Sequence, residues 1–85
     1  MGIKVHIPSM LQPITSRGTV EVEGTTVREC TEDLKRQFPD FRGWLDESNP
    51  MAWVTVNQKI VGLTELEQKV SERDELNIIL LLAGG

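Results

Sequence analysis

Leu76-Asn77-Ile78-Ile79-Leu80-Leu81-Leu82-Ala83-Gly84-Gly85 is the stretch on which the fold turns. From Leu76 to Leu82 only Asn77 is polar, a near-continuous apolar run that predicts a strand with neighbours on both sides and at least one covered face. Such a strand belongs in the middle of a sheet. Alternation puts residues 77, 79 and 81 on the less covered face and leaves Leu76, Ile78, Leu80 and Leu82 for the helix side. Ile79 and Leu81 are then exposed apolar groups leading to the last residues, which is what a docking patch requires.

Outward from this run, the charged segment Ser71 to Glu75 reads as a turn, and Thr64 to Val70 as a polar helical or irregular connection. Trp53 to Val56 and Ile60 to Val61 flank Asn57, Gln58 and Lys59 in a hairpin pattern. At the other end, Ile3, Val5 and Ile7 alternate with Lys4 and His6, and Pro8, which has no amide proton, stops that strand. Ser9 to Gly18 reads as a wide loop. Val20 and Val22 alternate with Glu21 and Glu23, and the simplest partner for this second strand is the first, antiparallel.

Gly24 ends the pair, and Thr26 with Glu29 has the form of a capping box. Val27, Cys30, Leu34 and Phe38 fall on one arc of a helix, which Pro39 stops near Phe38. Phe41, Trp44 and Leu45, spaced i, i+3, i+4, predict one more helical turn closing the bottom of the core. Two strands, a helix, then further strands with the last one central is the order of an α+β β-grasp fold. The expected architecture is a mixed sheet of four to five strands on one main helix, over residues 1–81, with a flexible tail over residues 82–85.

Composition narrows the function. The 85 residues make one domain, and 9 Lys+Arg against 13 Asp+Glu, a net charge of −4 with no basic block, argue against nucleic acid and anionic membrane as partners. A single cysteine excludes a disulfide framework and any four-cysteine metal or iron–sulfur site. The opening lacks the pattern of a signal peptide, and no apolar run is long enough to span a bilayer, so the expected location is cytoplasmic. A nucleophile with its base, a phosphate-cradling glycine loop and a metal cluster are all missing from the sequence, which predicts a protein that is not itself an enzyme.

Gly84 and Gly85 lack β-carbons and can enter a slot closed to other residues. The four residues from Leu82 reach about 13 to 14 Å when extended. A terminal carboxylate, with an ordinary pKa of about 3.3 to 3.7, is ionised at neutral pH and able to attack an activated phosphate. The chain would then be the substrate, and the partner would supply ATP and magnesium. Ordering the tail costs on the order of 1 to 2 kcal/mol per residue, so affinity must come from a second surface on the body.

The order of elements, Asp74-Glu75 before the last strand and the final Ala83-Gly84-Gly85 resemble the ubiquitin-fold sulfur carriers, which include the small subunit of molybdopterin synthase and the thiamine-pathway carrier. Val5, Ile7-Pro8, Leu11, Pro13 and Thr15 additionally resemble the branch that carries sulfur for cysteine synthesis. The resemblance implies that Gly85 is adenylated by a ubiquitin-activating-type enzyme, receives sulfur from a persulfide or sulfide source as a thiocarboxylate, and passes it to an acceptor synthase. Gly84, Ala83, Leu82, Leu81 and Ile79 would bind these partners. Ile79-Leu80-Leu81 departs from the family, which often has prolines there. The alternative is a ubiquitin-like modifier joined to lysines through Gly85.

Other residues read as structural. Cys30 lies on the apolar arc as a buried thiol, and His6 stands alone on the outward face of the first strand. Glu29, Glu32 and Asp33 form a solvated acidic helix face. Trp44 and Trp53 belong to core and rim.

Overall fold

In the computed structural model, which describes residues 2–46, 51–62 and 65–80, the alternating segment Ile3-Lys4-Val5-His6 forms β1 (Ile3–His6). It pairs antiparallel with β2 (Thr19–Val22), setting Val5 opposite Val20 and Ile3 opposite Val22. All four are buried, so the shared parity of the two strands fixes one face as core.

The segment between these strands is more ordered than a wide loop. Ser9–Leu11 makes a 3-10 turn and Gln12–Thr15 one turn of helix, α1. Pro13 sits in the first turn of α1, where a missing amide proton costs nothing. Leu11 and Thr15 are buried, and the Thr15 hydroxyl donates to the Arg17 carbonyl at 2.6 Å. The sequence pattern hides this because two prolines and polar residues resemble open loop, whereas Leu11, with Ile14 beside it, anchors the turn on the core.

The helix α2 (Val27–Gln37) begins at Thr26, whose hydroxyl accepts from the Glu29 N–H at 3.2 Å. The return bond of the expected box is shifted by one residue: Glu29 Oε1 accepts from the N–H of Thr25 at 2.7 Å. The first amides of α2 are met by tertiary structure, with Val27 N–H donating to the Gln68 carbonyl and Arg28 N–H to that of Leu66. This is how the irregular segment before β5 is held, together with a bridge between Thr26 and Lys69. Gly24 is required by close approach: a β-carbon there would lie 2.9 Å from the backbone nitrogen of Cys30.

After α2, Pro39–Gly43 forms a 3-10 helix, and Leu45 N–H donates to the Phe41 carbonyl, giving the expected turn. Phe41 is fully buried and Leu45 nearly so, contributing roughly 1.5 to 3 kcal/mol each. β3 (Ala52–Val56) and β4 (Lys59–Val61) form a hairpin across Asn57-Gln58. Both turn residues have positive φ, 51° and 75°, as a two-residue type I′ turn demands.

β5 (Glu75–Leu80) lies in the middle, in the order β2-β1-β5-β3-β4. It runs parallel to β1 and antiparallel to β3. The fold is the expected β-grasp, a five-stranded mixed sheet with its apolar face against α2.

Candidate functional site

β5 delivers the chain to residue 81 from the centre of the sheet. Leu76 and Ile78 are buried, and Leu80 packs against the core. Asn77 and Ile79 take the opposite face, as strand parity predicts, and both are half-buried. Ile79 is less exposed than expected because Trp53 of β3 stands directly across from it, within the ~5 Å separation of facing residues in an antiparallel pair. Leu81, Leu82, Ala83, Gly84 and Gly85 lie outside the described residues.

The face carrying Ile79 is chemically graded. At one end Lys4 of β1 faces Glu21 on one neighbour and Glu75 on the other. In the middle His6 is paired with Thr19 and Asn77, with its Nδ1 3.3 Å from the Thr19 hydroxyl, and Thr55 lies across from Asn77 and Ile60. Toward the end of β5 the face becomes apolar, with Ile79 and Trp53, and Ile60 is 51% exposed. Trp53 thus belongs to the sheet face beside the last described residues, whereas Trp44 packs against the core. The signal for Trp53 was present in its parity with the buried Ala52 and Val54.

Asp74 fixes the start of β5. The Asn57 amide donates to it at 2.9 Å and the Ser71 N–H at 2.7 Å, bonds that hold its carboxyl below the ordinary value. Glu75 N–H in turn donates to the Asn57 side-chain carbonyl at 3.0 Å. The two ends of β5 therefore differ: one is pinned by a polar network, and the other opens onto an apolar face.

The remaining titratable groups take structural places. Cys30 is 1% exposed; burial, with Glu29, Asp33 and Glu23 nearby, pushes its thiol up to about 11, which leaves it protonated and a poor nucleophile at neutral pH. The acidic helix face holds only in part. Glu32 is exposed and ion-paired with Lys35 at 2.8 Å, and Glu29 caps the helix. Asp33 is buried, contrary to its sequence reading, because β2 passes beside it and the Glu23 N–H donates to it at 2.9 Å. Among the described residues no group of three or more His, Cys, Asp or Glu is placed to hold a metal ion. A narrow apolar slot of about 90 Å³, lined in part by Leu45, Ala52, Val61 and Leu66, is well below the ~300 Å³ of small-ligand pockets. No helix among the described residues is long and apolar enough to cross a membrane.

The chain is similar to one chain of the BexX/CysO complex of Amycolatopsis orientalis, at 30% identity and a TM-score of 0.81, covering 98% of this chain and 99% of that one. It shares its fold with CysO of Mycobacterium tuberculosis, at 23% identity, a TM-score of 0.77, and coverage of 94% and 99%. It shares it also with small archaeal modifier protein 1 of Methanosarcina acetivorans, at 19% identity, a TM-score of 0.78, and coverage of 98% and 95%. No curated protein sequence matches the chain. The ThiS family model matches residues 5–85, a span that runs from the end of β1 through the central strand to the final glycines, and the chain therefore belongs to the ThiS family of β-grasp sulfur carriers.

Proposed function

We propose that the chain is a protein co-substrate whose terminal Gly85 cycles between carboxylate, acyl-adenylate and thiocarboxylate. The family match through residue 85 is the observation that carries this reading. The Gly85 carboxylate attacks the α-phosphorus of magnesium-bound ATP in an adenylating partner of the ubiquitin-activating type, and pyrophosphate leaves. Sulfide then attacks the acyl carbon, AMP leaves, and the thiocarboxylate remains. A persulfide donor gives an acyl disulfide instead, which a second thiol cleaves to the same product. The thiocarboxylate passes its sulfur to an acceptor held by a synthase. On this reading all the catalytic groups belong to the partners.

Cysteine synthesis is the favoured destination, supported by the opening segment Val5, Ile7-Pro8, Leu11, Pro13 and Thr15 and by the 30% identical chain of the BexX/CysO complex. Molybdopterin and thiamine-thiazole synthesis use the same carrier chemistry. The compartment of such a pathway is the cytoplasm. Ile79, with Leu81, Leu82, Ala83 and Gly84, would guide the tail into each partner.

Incubation with the adenylating enzyme, ATP, magnesium and sulfide tests the proposal. Intact-mass spectrometry should show a gain of about 16 Da as sulfur replaces oxygen, absent from a chain lacking Gly85 that remains folded. An unchanged mass for the full chain, under conditions in which pyrophosphate is released, overturns it. The likeness in fold to an archaeal modifier protein keeps conjugation as the second reading. In that case larger covalent species appear that resist thiol reductants.

A further inference from the structure

An outer strand offers unpaired N–H and C=O groups to any other strand that approaches, and β2 is an outer strand of this sheet. Register shows which of its groups face outward. Ile7 N–H donates to the Gly18 carbonyl at 2.8 Å, and the pairs Val5–Val20 and Ile3–Val22 have the same parity. The backbone groups of Thr19, Glu21 and Glu23 therefore point away from β1. Two of them are met by side chains of α2. Gln37 Nε2 donates to the Glu21 carbonyl at 3.0 Å, and the Glu23 N–H donates to Asp33 Oδ2 at 2.9 Å. Gln37 also donates to that Asp33 oxygen at 2.8 Å, and Arg36 donates to the other. Asp33 is only 7% exposed. A carboxylate removed from water to this degree is costly unless its oxygens are bonded, and here its bonds close the margin of a sheet.

We propose that Asp33 and Gln37 form a latch that shuts the β2 edge against a second copy of this chain. Without the latch, two β2 strands pair antiparallel about a two-fold axis. The strand suits itself in one register. With Val20 opposite Val20, Thr19 faces Glu21 and Arg17 faces Glu23, so opposite charges meet and no like charges are opposed. A slip that sets Glu21 against Glu21 is disfavoured. The Thr19 N–H and C=O, which point outward beyond the latch, supply the central hydrogen bonds. This inference concerns the body of the protein and stands independently of the chemistry at Gly85.

The test compares the wild type, the Asp33→Ala/Gln37→Ala double variant and Asp33→Asn, which keeps an oxygen for the Glu23 N–H. Sedimentation from about 10 µM to 1 mM and amide exchange are measured for each. The wild type and Asp33→Asn should remain monomeric with a protected Glu23 amide. The double variant should dimerise with rising concentration, and at the dilute end its Glu23 amide should exchange at least tenfold faster. Adding Thr19→Pro, which removes an outward donor without removing a β1 bond, should return it to a monomer. A folded double variant that stays monomeric, a dimer that survives Thr19→Pro, or a wild type that itself dimerises through β2 overturns the proposal. Should the double variant fail to fold, Gln37→Ala alone carries the test: weaker dimerisation supports the latch, and a monomer throughout overturns it.

Discussion

At position 58 a glutamine adopts φ 75° in the second place of a two-residue hairpin turn, a conformation that favours glycine. The preceding Asn57 tolerates φ 51° better, asparagine being among the few residue types that enter the left-handed region, and its side chain is fixed across the turn by Asp74 and the Glu75 amide. Gln58→Gly should therefore stabilise the protein by about 1 kcal/mol, relief of the left-handed strain exceeding the entropy of the added glycine. Thermal unfolding should rise by roughly 4 to 8 °C for a domain of this size, and an unchanged or lower midpoint would show that the turn carries no such strain. The turn itself was legible in the alternation on either side of it. The conformation of Gln58 was not, because glutamine is not a residue that signals positive φ.

At the scale of the element, α2 joins three parts of the molecule. Its apolar arc, Val27, Cys30 and Leu34, lies on the core, its first amides bond to the segment before β5, and Asp33 and Gln37 reach the margin of β2. The arc was readable from spacing alone. The Asp33 contact was not, since a carboxylate on the flank of an amphipathic helix ordinarily faces water, and only the passage of β2 beside it buries it and adds the Glu23 N–H to the donors Arg36 and Gln37 of its own helix. Burial alone would raise the Asp33 carboxyl, but the Glu23 N–H, then Gln37 and Arg36, outweigh it and hold it below its ordinary value of 3.8. With the folded value below the unfolded one, this carboxylate contributes stability that is fully present above the unfolded value and is lost as pH falls through the folded one. Denaturant unfolding of Asp33→Asn should thus show a loss of about 1 to 2 kcal/mol at pH 7 that shrinks as the pH is lowered through the acid range in which the carboxylate is protonated. A loss of equal size throughout would mean that packing, not ionisation, underlies it.

For the whole molecule, the stabilising face and the face proposed for docking lie on opposite sides of the sheet. Leu76 and Ile78 hold β5 to the core, while Ile79 and Trp53 present the other face beside the last described residues. Ile79→Glu should leave a cooperatively folding domain, destabilised by about 1 kcal/mol. With the adenylating enzyme, pyrophosphate exchange should show KM raised tenfold or more and kcat little changed, as for lost binding shared by ground and transition states. An unaltered KM would remove Ile79 from the docking surface. The amino-acid sequence by itself determined the strand parity, the helix arc, the central place of the last strand and the family, since each depends on residue spacing or on a motif continuous in the chain. Only the tertiary structure decided that Asp33 is buried, that Trp53 shields Ile79 and that the segment after Pro8 is helical. The first two depend on residues far apart in sequence meeting beside the helix or across the sheet, and the third on Leu11 and Ile14 finding the core, partners that no local spacing names.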